Sequence, residues 1–377
     1  MRPDFLPYGL HEMTDDDVEA VAGTLRSGWI TSGPAIAKFE REFTSYTGAK
    51  YAVAVNSGTA ALDIAVGALG LTPGDEAITT PLTFVATANA LLYHGLKPVF
   101  ADIDPRTWNL DPVSVRRKIT AKTRAIVAVD YSGQPCDLDD LRDLASKEKL
   151  TLIEDAAHAL GARYKGKPIG SQADLTTFSF HPVKHITTGE GGMVTTNNEQ
   201  WHKRLLLLRN HGINRDAAER YGPQAAWRYD MVALGRNYRI TDFQCALGSA
   251  QLKRLEGFVD RRRQLVASYR SRLPKEIESI SEMPDRISSW HIFPVLLPRN
   301  SNRDVVFEKM RRANIGVNVH YIPVYHHSYY QRHVVTDPKD YPITEDVFQR
   351  LLTLPLYPKM TDEDIQDVAE ALRMALQ

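Results

Sequence analysis

The stretch TTFSFHPVKHITTGEGG, residues 176–192, decides how this chain is read. It opens as an apolar strand that ends at Ser179, then breaks into a Pro-interrupted, Gly-rich segment carrying Lys184. Pro182 argues against a regular surface helix there, because proline removes a donor and clashes with the preceding turn. A lysine in such a segment is either a solvated loop residue or an amine that forms a Schiff base with an aldehyde. The second use requires burial or positive neighbours to lower its pKa. Its position just beyond a strand end favours that use. Gly189, Gly191 and Gly192 predict tight backbone turns close to a ligand. Ser179 can donate to a phosphate, and a freed Lys184 can act as general acid and base.

Two further segments supply partners for that amine. IEDAAHALG, residues 153–161, places Asp155 and His158 directly after an apolar strand. The end of a central parallel strand is where α/β proteins build their ligand sites. Asp155 is either a helix cap or the counter-ion of a protonated heterocyclic nitrogen. His158 is either a satisfied core histidine or a hydrogen-bond partner of a ligand oxygen. NSGTAAL, residues 56–62, is a strand-to-helix turn of small residues. Backbone N–H groups and the helix dipole there suit an anion such as phosphate, although a plain helix entry reads the same way.

Around these segments the chain alternates short apolar strands with helices. Thr14 before three aspartates predicts a helix start, and IAKFEREFTSYTG predicts a second helix with Ile36, Phe39 and Phe43 on one side. YAVAV, AITT, PVFADI, RAIVAVD, TLIEDAA, DLTTFSF and GGMVTTN read as strands, which implies an α/β unit with a largely parallel sheet. From about residue 250 the pattern changes. One long charged helix (AQLKRLEGFVDRRRQLVASYRSRL) leads into a strand at WHIFPVLL, a helix from Arg303 and an acid-capped helix after Thr361. Residues 1–250 read as a large domain and 251–377 as a smaller α+β domain.

Lys plus Arg equals Asp plus Glu, 46 against 46, so no global charge favours nucleic acid or an anionic membrane. Two cysteines cannot build a disulfide scaffold or a four-thiolate zinc site. No apolar run reaches the roughly 20 residues of a membrane span. The N-terminus turns acidic before it can serve as a signal peptide, so the expected location is cytoplasmic. No metal-ligand cluster is expected, since Pro182 interrupts the HxxxH spacing of His181 and His185. The dinucleotide, nucleophile-elbow and phosphate-loop fingerprints are missing.

Taken together, SGWITSGP (27–34), NSGTAAL, PLTFVATANA (81–90), EDAAHALGA, SFHPVKHITTGEGG and GRNYRITDFQCALG (235–248) resemble the DegT/DnrJ/EryC1/StrS sugar aminotransferases. These are fold-type I enzymes dependent on pyridoxal 5'-phosphate (PLP), with a mostly parallel α/β/α domain. The resemblance implies Lys184 as the Schiff-base lysine and Asp155 at the pyridine nitrogen. It puts His158 at the phenolic oxygen, Phe84 over one ring face, and Gly58, Thr59 and Ser179 at the phosphate. Asn237 would reach the phosphate of a neighbouring subunit in a homodimer. L-Glutamate would donate the amino group to a nucleotide-linked keto sugar. LPYG (6–9), SFHPVK and VHYIPVY (319–325) resemble most the branch that aminates UDP-linked 4-keto-6-deoxy-N-acetylhexosamines on the way to pseudaminic acid. Branches acting on UDP-4-keto-arabinose, or on GDP- and dTDP-linked ketohexoses at C4 or C3, are the alternatives. Tyr8, Trp29, Arg239, His320 and Tyr321 are the expected substrate contacts. The related sugar dehydratases carry histidine in place of the lysine, and a non-catalytic regulator would show no cofactor chemistry.

Overall fold

The computed structural model describes residues 2–214 and 229–377. Helix α1 (Asp15–Arg26) begins where the sequence predicts, with its aspartates in the first turn. The Asp17 carboxylate accepts the Thr14 N–H at 2.9 Å. Helix α2 (Pro34–Thr47) buries Phe39 and Phe43 and ends at Gly48, whose φ of 75° suits a residue without a side chain.

The chain then lays down β1 (Tyr51–Val55), α3 (Gly58–Leu69), β2 (Glu76–Thr79), α4 (Ala86–Tyr93), β3 (Lys97–Phe100), α5 (Pro112–Lys118), β4 (Thr123–Val129), α6 (Leu138–Glu148) and β5 (Thr151–Asp155). A hairpin of β6 (Arg163–Tyr164) and β7 (Lys167–Pro168) precedes β8 (Leu175–Ser179), β9 (Gly192–Thr196) and α7 (Glu199–Arg209). The central sheet is seven-stranded, in the order β1-β9-β8-β5-β4-β2-β3. Strand β9 runs antiparallel to both neighbours, and the other pairings are parallel.

Both faces of this sheet are covered, and the strands show it residue by residue. Val53 and Val55 pack with Ile64 of α3 and Leu205 of α7 on one side. Ala52 and Ala54 pack with Phe39, Phe43 and Leu141 on the other. That alternation is the two-residue period of a strand buried on both faces.

The long charged helix of the sequence reading is two helices, α8 (Asp242–Leu252) and α9 (Leu255–Arg272). Between them the chain makes a turn that ends at Arg254. Its guanidinium bonds to the buried Asp17 carboxylate and stacks 4.8 Å over Phe258. Gln251 also reaches Asp17, at 2.8 Å, so α1 is tied to the break. A three-stranded antiparallel sheet follows, built from β10 (Glu278–Ser279), β12 (Phe293–Leu296) and β13 (Leu351–Leu354). The remaining strand, β11 (Arg286–Ile287), joins the β6–β7 hairpin. Helices α10 (Arg303–Arg312), α11 (Ser328–His333), α12 (Pro342–Arg350) and α13 (Asp362–Ala375) complete the chain. Helices α10, α12 and α13 share a core that takes in Leu6 and Tyr131, Tyr330 of α11 packs with Phe100 and Tyr325 instead, and Leu6 bridges Ile315. No helix among the described residues is long and apolar enough to cross a membrane.

Helix α3 also holds the segment that carries Asn237. Its buried Asp63 accepts hydrogen bonds from Arg236 Nε at 3.1 Å and Tyr238 Oη at 2.8 Å, and contacts His94 Nε2 at 2.7 Å. Burial opposes the charge, but these bonds outweigh it and hold the carboxyl below its ordinary range. Asp63→Ala is expected to cost about 1–3 kcal/mol of stability, read as a lower denaturation midpoint. Because the folded pKa lies below the unfolded one, the carboxylate contributes stability above about pH 4. The difference from wild type should shrink as pH falls through the folded value.

Candidate active site

The ends of the parallel strands and the loops beyond them open into a cavity of about 370 Å³. Helix α3 points its N-terminus into it. Ser57 caps that helix by accepting the Ala60 N–H at 3.0 Å, leaving Gly58 and Thr59 on the lining. Ser179, the last residue of β8, faces them. A Cβ added at Gly58 would stand 2.8 Å from Ser179 Cβ and 2.9 Å from its Oγ. The glycine therefore keeps open a cradle between a helix N-terminus and a hydroxyl, which is the donor set a phosphate needs.

Strand β5 delivers Asp155 to the cavity floor. No helix follows it, so the capping alternative does not apply. Its Oδ2 accepts the Thr87 hydroxyl at 2.7 Å and its Oδ1 accepts the Ala157 N–H at 3.2 Å. Burial raises its pKa, against the hydrogen bonds of Thr87 and Ala157 and the charge of Lys184. His158 is 5% exposed. Its Nε2 lies 3.0 Å from Tyr321 Oη, while Nδ1 is buried with no partner. Burial, then Lys184, holds this ring neutral, well below the usual histidine range.

Lys184 sits in a turn closed by its N–H bonding to His181 O at 2.9 Å, and its side chain lines the same cavity. Burial lowers its ammonium to about 8, opposed by Asp155. The ε-amine is thus close to balance between nucleophile and acid at neutral pH. Its nearest polar contact is His291 Nε2, at 3.3 Å. The glycines of this segment serve another purpose than the one expected. Gly189, Gly191 and Gly192 are absent from the cavity wall. A Cβ on Gly192 would lie 2.5 Å from Ser57 O, and one on Gly191 would meet Thr188 Oγ1 at 2.1 Å. Gly191 and Gly192 let the chain pack against itself, while Gly189, at φ 78°, supplies a tight turn.

The outer residues divide. Phe84 lines the cavity, 56% exposed and 6.0 Å from the Tyr321 ring. Tyr8, His320 and Tyr321 line it too, with the Tyr8 and His320 rings 5.5 Å apart. Trp29, Arg239 and Asn237 do not. Trp29 and Asn237 are exposed, and Arg239 donates to Asn210 Oδ1 at 2.8 Å. All three lie where Thr31 bridges Thr241 and Asn210 bridges Asn237.

Sequence reasoning passed over Thr87 and His291. Thr87 had a faint signal, a hydroxyl three residues after Phe84 in PLTFVATANA. His291 had none, because WHIFPVLL reads as an ordinary strand and only folding brings residue 291 to residue 184.

Comparison with known proteins agrees with this geometry. The model of the DegT/DnrJ/EryC1/StrS aminotransferase family matches residues 11–373. The spore coat polysaccharide biosynthesis protein SpsC of Bacillus subtilis is 42% identical over 379 residues, which is 99% of this chain and 97% of SpsC. The structure of Helicobacter pylori PseC, an aminotransferase involved in the biosynthesis of pseudoaminic acid, superposes with a TM-score of 0.93 at 30% identity, covering 99% of both chains. Streptococcus pneumoniae Spr1654, solved in its PMP form, gives 0.92 at 32% identity over 98% of this chain and 100% of its own. Its PLP form gives 0.91. A cradle for phosphate, a buried carboxylate and an amine of lowered pKa within one cavity are what such a cofactor requires. The chain belongs to the DegT/DnrJ/EryC1/StrS aminotransferase family, and is a PLP-dependent transaminase with the α/β architecture of fold type I.

Proposed function

We propose that this transaminase moves the amino group of L-glutamate to C4 of a nucleotide-linked keto sugar, UDP-2-acetamido-2,6-dideoxy-β-L-arabino-hex-4-ulose. The two half-reactions share one site in ping-pong order. The observation that carries the reading is the placement of Lys184, Asp155, His158 and the Gly58–Ser179 cradle around one cavity. The sugar assignment draws support from what PseC and SpsC are described as doing.

Gly58, Thr59 and Ser179 would hold the cofactor phosphate, Asp155 the pyridine nitrogen and His158 the phenolic oxygen, with Phe84 against the ring. When bound, PLP supplies the electron sink that makes the donor's α-proton acidic. Lys184 Nζ takes that proton from the donor carbon and later delivers one to the sugar carbon that receives the amine. Asp155, anchored by Thr87, would present its carboxylate to the pyridine nitrogen. Neutral His158 is held by Tyr321 in one orientation. Phe84, Tyr8 and His320 would exclude water at the mouth and receive the sugar nucleotide.

The exposed apolar residues Ile30, Met231, Val232 and Leu234 support a homodimer. Trp29, Asn237 and Arg239 then face the neighbouring subunit's site. Leu234→Glu is expected to shift the protein toward monomer in light scattering, and an unchanged dimer would remove this surface from the interface.

The deciding experiment incubates the enzyme and L-glutamate with UDP-, GDP- and dTDP-linked 4-keto and 3-keto sugars, and locates the new C–N bond by NMR. Amination of the UDP-linked 4-keto-6-deoxy-N-acetyl sugar at C4 is expected. Amination only at C3, or only of a GDP or dTDP sugar, would overturn the substrate assignment.

A further inference from the structure

His291 lies outside every motif of the sequence, yet its ring is 5% exposed and its Nε2 is 3.3 Å from Lys184 Nζ. The fold goes to some length to aim it. Trp290, the residue before it, is bulky and fully inside but has a φ of 50°, a left-handed conformation that such a side chain rarely adopts. The opposing loop is left-handed as well, at Ser132 (φ 61°) and Gly133 (φ 95°). The two loops clasp: Ser289 N–H donates to Gly133 O at 3.0 Å and His291 N–H to Ser132 O at 2.9 Å. From behind, the buried Arg262 guanidinium donates to the carbonyls of Trp290, His291 and Leu356 at 3.3, 3.0 and 2.9 Å. Strained backbone that is pinned from two sides is expected where a side chain must be held in one place.

We infer that His291 is a positioning residue for Lys184: its Nε2 accepts the hydrogen bond of the ε-ammonium whenever that nitrogen is not engaged in an imine. The freed amine and its proton are thereby parked beside the site between taking up the donor's proton and delivering one to the sugar. The inference rests on the role proposed for Lys184.

The ring is suited to accepting. Burial, then the charges of Lys184 and Arg262, hold it neutral. The groups facing the pair are Asp155, His158, His185, His320, Tyr321 and Arg262, and of these Asp155 is the acid. A neutral imidazole whose Nε2 accepts carries its proton on Nδ1, which is buried without another partner. His158 and His185 rings lie 4.4 and 5.6 Å from it, centroid to centroid.

The test labels Lys184 in the full-length, cofactor-free protein by reductive methylation across a pH series, with the modified peptide quantified by mass spectrometry. Wild type should give a midpoint near pH 8, where burial places the amine. His291→Phe and His291→Ala remove the acceptor, one by filling its place and one by emptying it. Either should lower the midpoint by about one unit, so that labelling below it runs roughly tenfold faster. His291→Gln, whose amide oxygen still accepts, should stay near wild type. In the loaded enzyme the Phe variant should slow the L-glutamate half-reaction about tenfold with its KM little changed. An unchanged midpoint in a folded Phe or Ala variant, or an equal fall in the Gln variant, would overturn the inference. Borohydride fixation of the cofactor on Lys184 in the same variants shows separately whether the reading of Lys184 itself stands.

Discussion

Lys184→Ala should lower turnover by at least about 10⁴-fold and abolish the absorbance of the imine between cofactor and lysine in the purified protein. Two functions are lost with one nitrogen. On the proposed reading the amine would be the covalent tether for the cofactor aldehyde and the base that carries the substrate proton, a contribution of roughly 10²–10⁴ by itself. No second lysine lines the cavity among the described residues. The imidazoles of His158 and His291 are near, but burial holds both neutral and neither can form a stable imine. The loss should therefore appear in single-turnover kinetics with L-glutamate and in the spectrum alike. Full activity in this variant would remove Lys184 from the chemistry.

The second large effect is expected at Asp155. Asn at this position keeps the shape and can keep contact with Thr87, whose hydroxyl lies 2.7 Å from Oδ2. It removes the charge that would hold a proton on the heterocyclic nitrogen. Breaking a buried charge pair costs about 3–5 kcal/mol, or roughly 10²–10⁴-fold in rate if the loss is felt in the transition state. Asp155→Asn should thus bind cofactor and form the Lys184 imine, yet be slow in both half-reactions. A variant with wild-type rates would show that the ring nitrogen takes its proton from elsewhere.

How far the sequence carried depended on distance along the chain. Strand periodicity was legible wherever burial on both faces produced short apolar runs, as at YAVAV and TLIED, and Thr14 with its aspartates marked a helix start. Lys184 and Asp155 stood out because Asp155 ends one strand and Lys184 follows closely after another. The break at Arg254 was not legible. Nothing local interrupts that helix, and the partner that Arg254 finds at the break is Asp17, far away in sequence. Gly192 was misread for a related reason, since what needs its missing side chain is the Ser57 carbonyl rather than a ligand. His291, Arg262 and Thr87 belong to the same class: their roles come from contacts that only the folded chain creates. Trp29 and Asn237 are exposed and Arg239 is half-buried, and none of the three lines the cavity.

One measurement bears on the central claim most directly. The purified protein is treated with borohydride in the presence of PLP, digested, and searched for the phosphopyridoxyl adduct by mass spectrometry. The adduct should lie on Lys184, and prior addition of L-glutamate should prevent its formation by converting the cofactor to the amine form. An adduct on a different lysine, or one on Lys184 that L-glutamate leaves untouched, would contradict amino transfer through this residue.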